Sequence, residues 1–125
     1  MEASLFEQMG GEPALRAVVD DFVDRVFDDP MIGFFFRKAS RERIKRFEYQ
    51  HAAELLGAGV RYEGRPLGEA HRVHRIMGGQ FARRKEILRQ TLERHAVPAH
   101  VQRAWLDHVE SLRALITSDP GSECR

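Results

Sequence analysis

One cysteine, Cys124, is the only thiol in a chain of 125 residues, so no disulfide can close within it and a reducing compartment is expected. Lysine is nearly as scarce. Of twenty basic residues only Lys38, Lys45 and Lys85 are not arginine, and nineteen acidic residues bring the formal net charge to +1. That balance argues against a polyanion partner. The one dense basic run, from Arg37 through Arg46, carries no interleaved aromatics for base stacking and no nucleic-acid motif, so it reads as a solvated helix face. No basic-then-apolar leader opens the chain and no apolar run is long enough for a membrane span, so a cytoplasmic location without nucleic acid or membrane is expected. Strand-like alternation, internal repeats and low-complexity tracts are missing too. With 42% hydrophobic and 31% charged residues, the composition is that of an ordinary globule with one core.

What remains is helical. Ser4-Leu5-Phe6-Glu7 has the spacing of a capping box, and Gly10-Gly11 closes the short helix it opens. Leu15, Val18, Val19, Phe22, Val23, Val26 and Phe27 then form a wide apolar stripe on a helix that ends before Asp29-Pro30. Phe34, Phe35 and Phe36 follow in an aromatic corner. Three consecutive rings cannot all face one core, so some must meet a second apolar surface, either a hydrophobic plug or a flat ligand.

Ser40 caps the next predicted helix, which runs to about Leu56. Its inward face is Ile44, Phe47, Glu48, His51, Ala52 and Leu55, and two of those six positions are ionisable. A carboxylate there needs a partner, a proton or a polar cavity, and His51, one turn on, is the obvious partner. A face rotated so that Glu48 reaches solvent is the alternative.

A glycine-rich loop over 57–64 delivers the chain into a helix of little more than two turns. Pro66 starts it and Met77-Gly78-Gly79 supplies its stop. A helix that short is marginal in water, so something must hold it from outside. Leu67, Ala70, His71 and His74 share one face, and two explanations stay open for His71: a hydrogen-bonded core histidine, or a metal ligand. A long helix follows from about Gln80 to His95, with Phe81, Ile87, Leu88, Thr91, Leu92 and His95 inward. Ala96-Val97-Pro98 breaks it. The last helix, from about Ala99 to Thr117, turns Val101, Trp105, His108, Val109, Leu112 and Ile116 inward. His95 and His108 read as satisfied core histidines. Residues 1–117 form one domain in this reading, and 118–125 a disordered tail.

The joint order of these features resembles the truncated, two-over-two haemoglobins, most closely their first group. The features that carry the resemblance are Leu5-Phe6 before Gly10-Gly11, the Asp21-Phe22 helix ending in Asp28-Asp29, the Phe35-Phe36 corner, the loop Tyr62-Glu63-Gly64-Arg65-Pro66-Leu67, Ala70-His71, and Val97-Pro98. The match runs over roughly residues 4 to 117. It implies an all-α fold, a two-over-two helical sandwich with short N-terminal and proximal helices, and haem as cofactor. His71 would be the iron ligand. Phe36 would pack on the porphyrin face, and Ile44, Phe47, Glu48 and His51 would look into the pocket from the distal helix. Arg46 and Arg72 are candidates for the haem propionates.

The departures carry information of their own. The first group commonly has a tyrosine and a glutamine where this chain has Val23 and Glu48. Val23 has no donor, and an ionised Glu48 would repel partial negative charge on a ligand, so oxygen should be held weakly. The resemblance implies binding of diatomic ligands, oxygen or nitric oxide, with nitric oxide dioxygenation as a reaction, a separate reductase as partner, and a monomer or weak dimer. A second reading makes Glu48 and His51 a distal acid/base pair for a peroxidase-like, redox or gas-sensing role. A third, from Glu48-Tyr49-Gln50-His51, is half of a di-iron helical bundle site, for which the chain holds no second Glu-x-x-His.

Overall fold

The computed structural model describes residues 3–61 and 78–113. Five α-helices and one 3₁₀ turn make up this part, with no strand among the described residues: α1 Leu5–Gln8, α2 Gly11–Asp28, the 3₁₀ turn Gly33–Phe36, α3 Arg41–Leu55, α4 Gly78–Arg94 and α5 Ala99–Ser111. The predicted proximal helix with the last part of its loop, over 62–77, and residues 114–125, which hold the end of the last predicted helix and the tail, lie outside the described residues.

The helices begin where the sequence supplies a cap. Ser4 Oγ accepts from the Glu7 amide at 3.1 Å, and Ser40 Oγ accepts from the Arg43 amide at 3.2 Å, each satisfying a donor that the first helical turn leaves without a partner. Between α1 and α2 the chain turns through Gly10 at φ 118°, where a Cβ would come within 2.9 Å of the Ala14 side chain. Only glycine fits there. One expectation differs: Gly78 and Gly79 are helical residues of α4, not a break ahead of it.

Helix α2 is the hub. It packs against α1, α3, α4 and the 3₁₀ turn, while α4 packs in turn on α5, so α2 and α3 lie over α4 and α5 as two layers of two. The α2 stripe supplies Leu15, Val18, Val19, Phe22, Val23 and Val26 to the core. Phe81, Ile87, Leu88 and Leu92 meet it from α4, and Val101, Trp105 and Val109 come from α5.

The aromatic corner divides its three rings. Phe34 is exposed, Phe35 stacks on it at 4.2 Å between centroids, and Phe36 turns inward to stack on Phe27 at 5.1 Å. What fixes the corner is Asp29. Its carboxylate accepts from the Met31 and Ile32 amides at 3.0 and 3.1 Å and takes Arg83 of α4 at 2.7 Å. The side chain is only 4% exposed, so the ion pair clasps the corner to the second layer.

Candidate functional site

Helix α3 is the least submerged of the long helices. Of the six positions expected to face inward, Ala52 alone is fully buried, while Ile44, Phe47, Glu48, His51 and Leu55 are half-buried. Ile44 and Phe36 pack at the rim of the core. The Phe47 ring is flanked by two guanidinium groups, Arg46 at 4.9 Å and Arg43 at 5.5 Å, in the cation–π arrangement that lets an arginine cover an aromatic face. Arg46 itself is exposed.

The polar part of the face is organised by a residue that the sequence reading did not single out. Glu48 Oε1 accepts from Arg84 Nη2 of α4 at 2.7 Å, with the two side chains 31% and 25% exposed. The Arg84 guanidinium also lies over the Phe22 ring of α2 at 5.0 Å. The expected pairing of Glu48 with His51 is therefore corrected: the close partner is a cation on another helix, which offers a permanent charge where an imidazole would offer a conditional one. A signal was present. Arg84 stands three residues after Phe81 and four before Leu88, on the inward stripe of α4.

His51 stands one turn beyond Glu48, with its ring centroid 5.4 Å from that of His108 on α5 and the planes tilted by 42°. Burial is the main influence on its pKa and lowers it, as do its neighbours His108 and Arg84, against the opposing pull of Glu48 and Glu54. The imidazole is therefore neutral at neutral pH and able to accept a proton. Glu48, His51, Arg84 and His108 thus form one polar cluster between α3, α4 and α5.

His95 has a different role. It meets Asp21 of α2 at 2.9 Å, and Asp21 also takes Arg25 at 2.8 Å. Burial alone would raise the Asp21 pKa, but the hydrogen bonds from His95 and Arg25 outweigh it and hold the carboxyl low. Among the described residues no group of three or more His, Cys, Asp or Glu side chains converges to hold a metal ion. His71 and Arg72 fall outside those residues.

The exposed parts of this arrangement suit a flat, mainly apolar group. Phe36, Ile44 and Phe47 are large side chains at the edge of a core, neither submerged nor isolated, and the polar cluster follows them along α3. Every buried side-chain nitrogen and oxygen among the described residues has a partner, so the interior behind this rim is already satisfied. The residues present fit a haem.

The known proteins agree. The family model described as bacterial-like globin matches residues 4–118. The group 1 truncated haemoglobin GlbN of Synechocystis sp. is 30% identical over 100 residues, a match spanning 77% of this chain and 81% of that one. For the group 1 truncated haemoglobin of Chlamydomonas moewusii, identity is 32% over 69 residues, spanning 55% of this chain and 40% of the relative's length. Among solved structures, the Fe(III) truncated haemoglobin of Tetrahymena pyriformis superposes with a TM-score of 0.86 at 25% identity, over 94% of this chain and all of that one. With its two-over-two helices and a rim suited to a flat cofactor, the chain belongs to the bacterial-like globin family and is a haem-binding truncated globin.

Proposed function

We propose that this globin binds small diatomic ligands, oxygen and nitric oxide, with His71 as the iron ligand and α3 as the ligand-side helix. Haem supplies the iron at which such a ligand binds. Phe36, Ile44 and Phe47 would hold its apolar body, and Arg46 and Arg72 its carboxylates. Val23, buried in the α2 stripe, offers a ligand no hydrogen-bond donor from α2, so oxygen is expected to be held more weakly, and to exchange faster, than beside the tyrosine common at that position. Nitric oxide dioxygenation, in which oxygen and nitric oxide become nitrate, is the reaction this reading assigns, with a separate reductase returning the electron. The observation that carries the reading is the half-buried apolar rim of α3 in a chain of this family.

An absorption spectrum of the purified protein, ferric and then reduced with dithionite, tests the reading directly. A Soret band should saturate at one haem per chain. His71→Ala should lose or strongly shift that band, and free imidazole should restore it. A Soret band unchanged in His71→Ala would remove His71 as the ligand.

The neutral His51 supports a second reading. An imidazole kept deprotonated beside a paired carboxylate can take a proton from a peroxide, which is the opening requirement of peroxidase-like chemistry. His51→Gln would then lower peroxide turnover by about a hundredfold, in the range for loss of a general base, with the Soret band intact. Equal turnover in the variant would eliminate this reading.

A further inference from the structure

Glu48 and Arg84 present a problem in electrostatics that the ligand-binding reading leaves open. A lone carboxylate on the ligand side would repel any anion and any ligand that gains negative charge on binding. Yet Glu48 is not alone: Arg84 Nη2 donates to its Oε1 at 2.7 Å, in a pair about a quarter to a third exposed and anchored over Phe22. The pair also acts on a common neighbour. Glu48 and Arg84 influence the His51 imidazole in opposite senses, so their charges are felt together at the same point on α3. A guanidinium carries five N–H donors in a fixed fork, and Glu48 Oε1 engages one of its nitrogens. Val23 supplies no donor, so Arg84 is the cation that this polar cluster has to offer a ligand.

We propose that Arg84 is a specificity-determining residue of the haem pocket: its guanidinium cancels the charge of Glu48 and supplies the hydrogen-bond donor that admits small anionic ligands. The inference rests on the haem-binding reading. It differs from a purely structural role for the ion pair because the two partners act on anion affinity with opposite signs. Removing Arg84 exposes the carboxylate to the ligand. Removing the Glu48 charge leaves the cation unopposed.

The test uses the haem-loaded full chain in the ferric state, with azide as the anionic probe and imidazole as the neutral one, each titrated by absorption in the wild type, Arg84→Met, Arg84→Lys, Glu48→Gln and the Arg84→Met/Glu48→Gln double variant. The readout is the ratio of azide to imidazole affinity. Arg84→Met should lower it by at least about tenfold and Glu48→Gln should raise it by a similar factor, as expected when one of two opposed charges is removed. Arg84→Lys should stay within a few-fold of the wild type, and the double variant should fall between the single ones. If Arg84→Met takes up no haem, the rise in Glu48→Gln and the retention in Arg84→Lys decide the matter. A normal Soret band with a ratio that does not move, or moves the same way in Arg84→Met and Glu48→Gln, overturns the role of Arg84 while leaving the haem reading intact. A wild-type protein without a Soret band overturns both.

Discussion

At the scale of single residues, two carboxylates in different sequence contexts, Asp29 and Glu48, each take an arginine of α4. Asp29 follows a helix and precedes a proline, which reads as punctuation, yet its side chain is among the most buried polar groups described, held by Arg83 and two amides. The Arg83 hydrogen bond, then the two amide bonds, hold its pKa below the ordinary aspartate value despite burial. Asp29→Asn keeps the shape and removes the charge. It should cost about 2 kcal/mol, the range for a hydrogen bond to a charged group, read from urea denaturation near neutral pH. The pH dependence has a definite sign. Because the folded-state pKa lies below the unfolded one, the stabilisation is complete above the unfolded value of about 4 and drains as pH falls through the folded value. The wild type should therefore lose its advantage over Asp29→Asn on acidification below about pH 4.

Glu48 shows where legibility stopped at this scale. That it needed a partner followed from its place on an apolar face, and this was readable. Which partner was not, because Arg84 is thirty-six positions away and only the packing of α3 near α4 brings the two together. His51, nearer in sequence, was the local guess.

At the scale of elements, the ends of α3 and α4 are built alike with different residues. After α3, the Ala58 and Gly57 amides donate back to the carbonyls of Ala53 and Glu54. After α4, the Val97 and Ala96 amides donate to those of Leu92 and Glu93. Both are Schellman closures, which put one residue in the left-handed region. That residue is Gly57 at φ 82° in the first and Ala96 at φ 54° in the second. Ala96→Gly should therefore stabilise the protein by about 1 kcal/mol, the order of the left-handed penalty for a residue with a Cβ. Gly33 is the reverse case: a Cβ there would lie 2.5 Å from the Phe27 carbonyl oxygen, a backbone atom with no room to yield, so Gly33→Ala should cost about 1–3 kcal/mol. Thermal melts of the two variants should move in opposite directions. Equal shifts, or a neutral Gly33→Ala, would show that the corner relaxes around the added methyl.

The elements themselves were largely readable. Capping serines at positions 4 and 40 and the 3.6-residue stripe of α2 marked helices whose bounds the structure reproduces closely. Gly78-Gly79 misled, because glycine marks a helix end only when the backbone there needs its freedom, and these two lie inside α4.

At the scale of the molecule, the all-α class with its four substantial helices followed from the apolar stripes, since amphipathic faces must bury one another, while the two-over-two arrangement followed from the family resemblance. The candidate site was legible in part. Its apolar rim of Phe36, Ile44 and Phe47 followed from periodicity together with family resemblance, while the Arg84 cation arose from tertiary packing and charge pairing, which periodicity does not report.

The central position of α2 also bears on how the chain finds this structure. Its contacts with α3 close across a connection of about a dozen residues, while those with α4 close across about fifty. Loop-closure entropy grows with the logarithm of length, so the second contact costs only about 1 kcal/mol more than the first. That difference still orders the events. The α2–α3 pair should condense first and the α4–α5 layer should dock onto it, giving truncation variants at Val23 folding φ-values of about 0.5–0.8 and those at Leu92 about 0–0.3. Stopped-flow refolding of Val23→Ala and Leu92→Ala would read this sequence of events, and equal φ-values would mean that both layers assemble in one step.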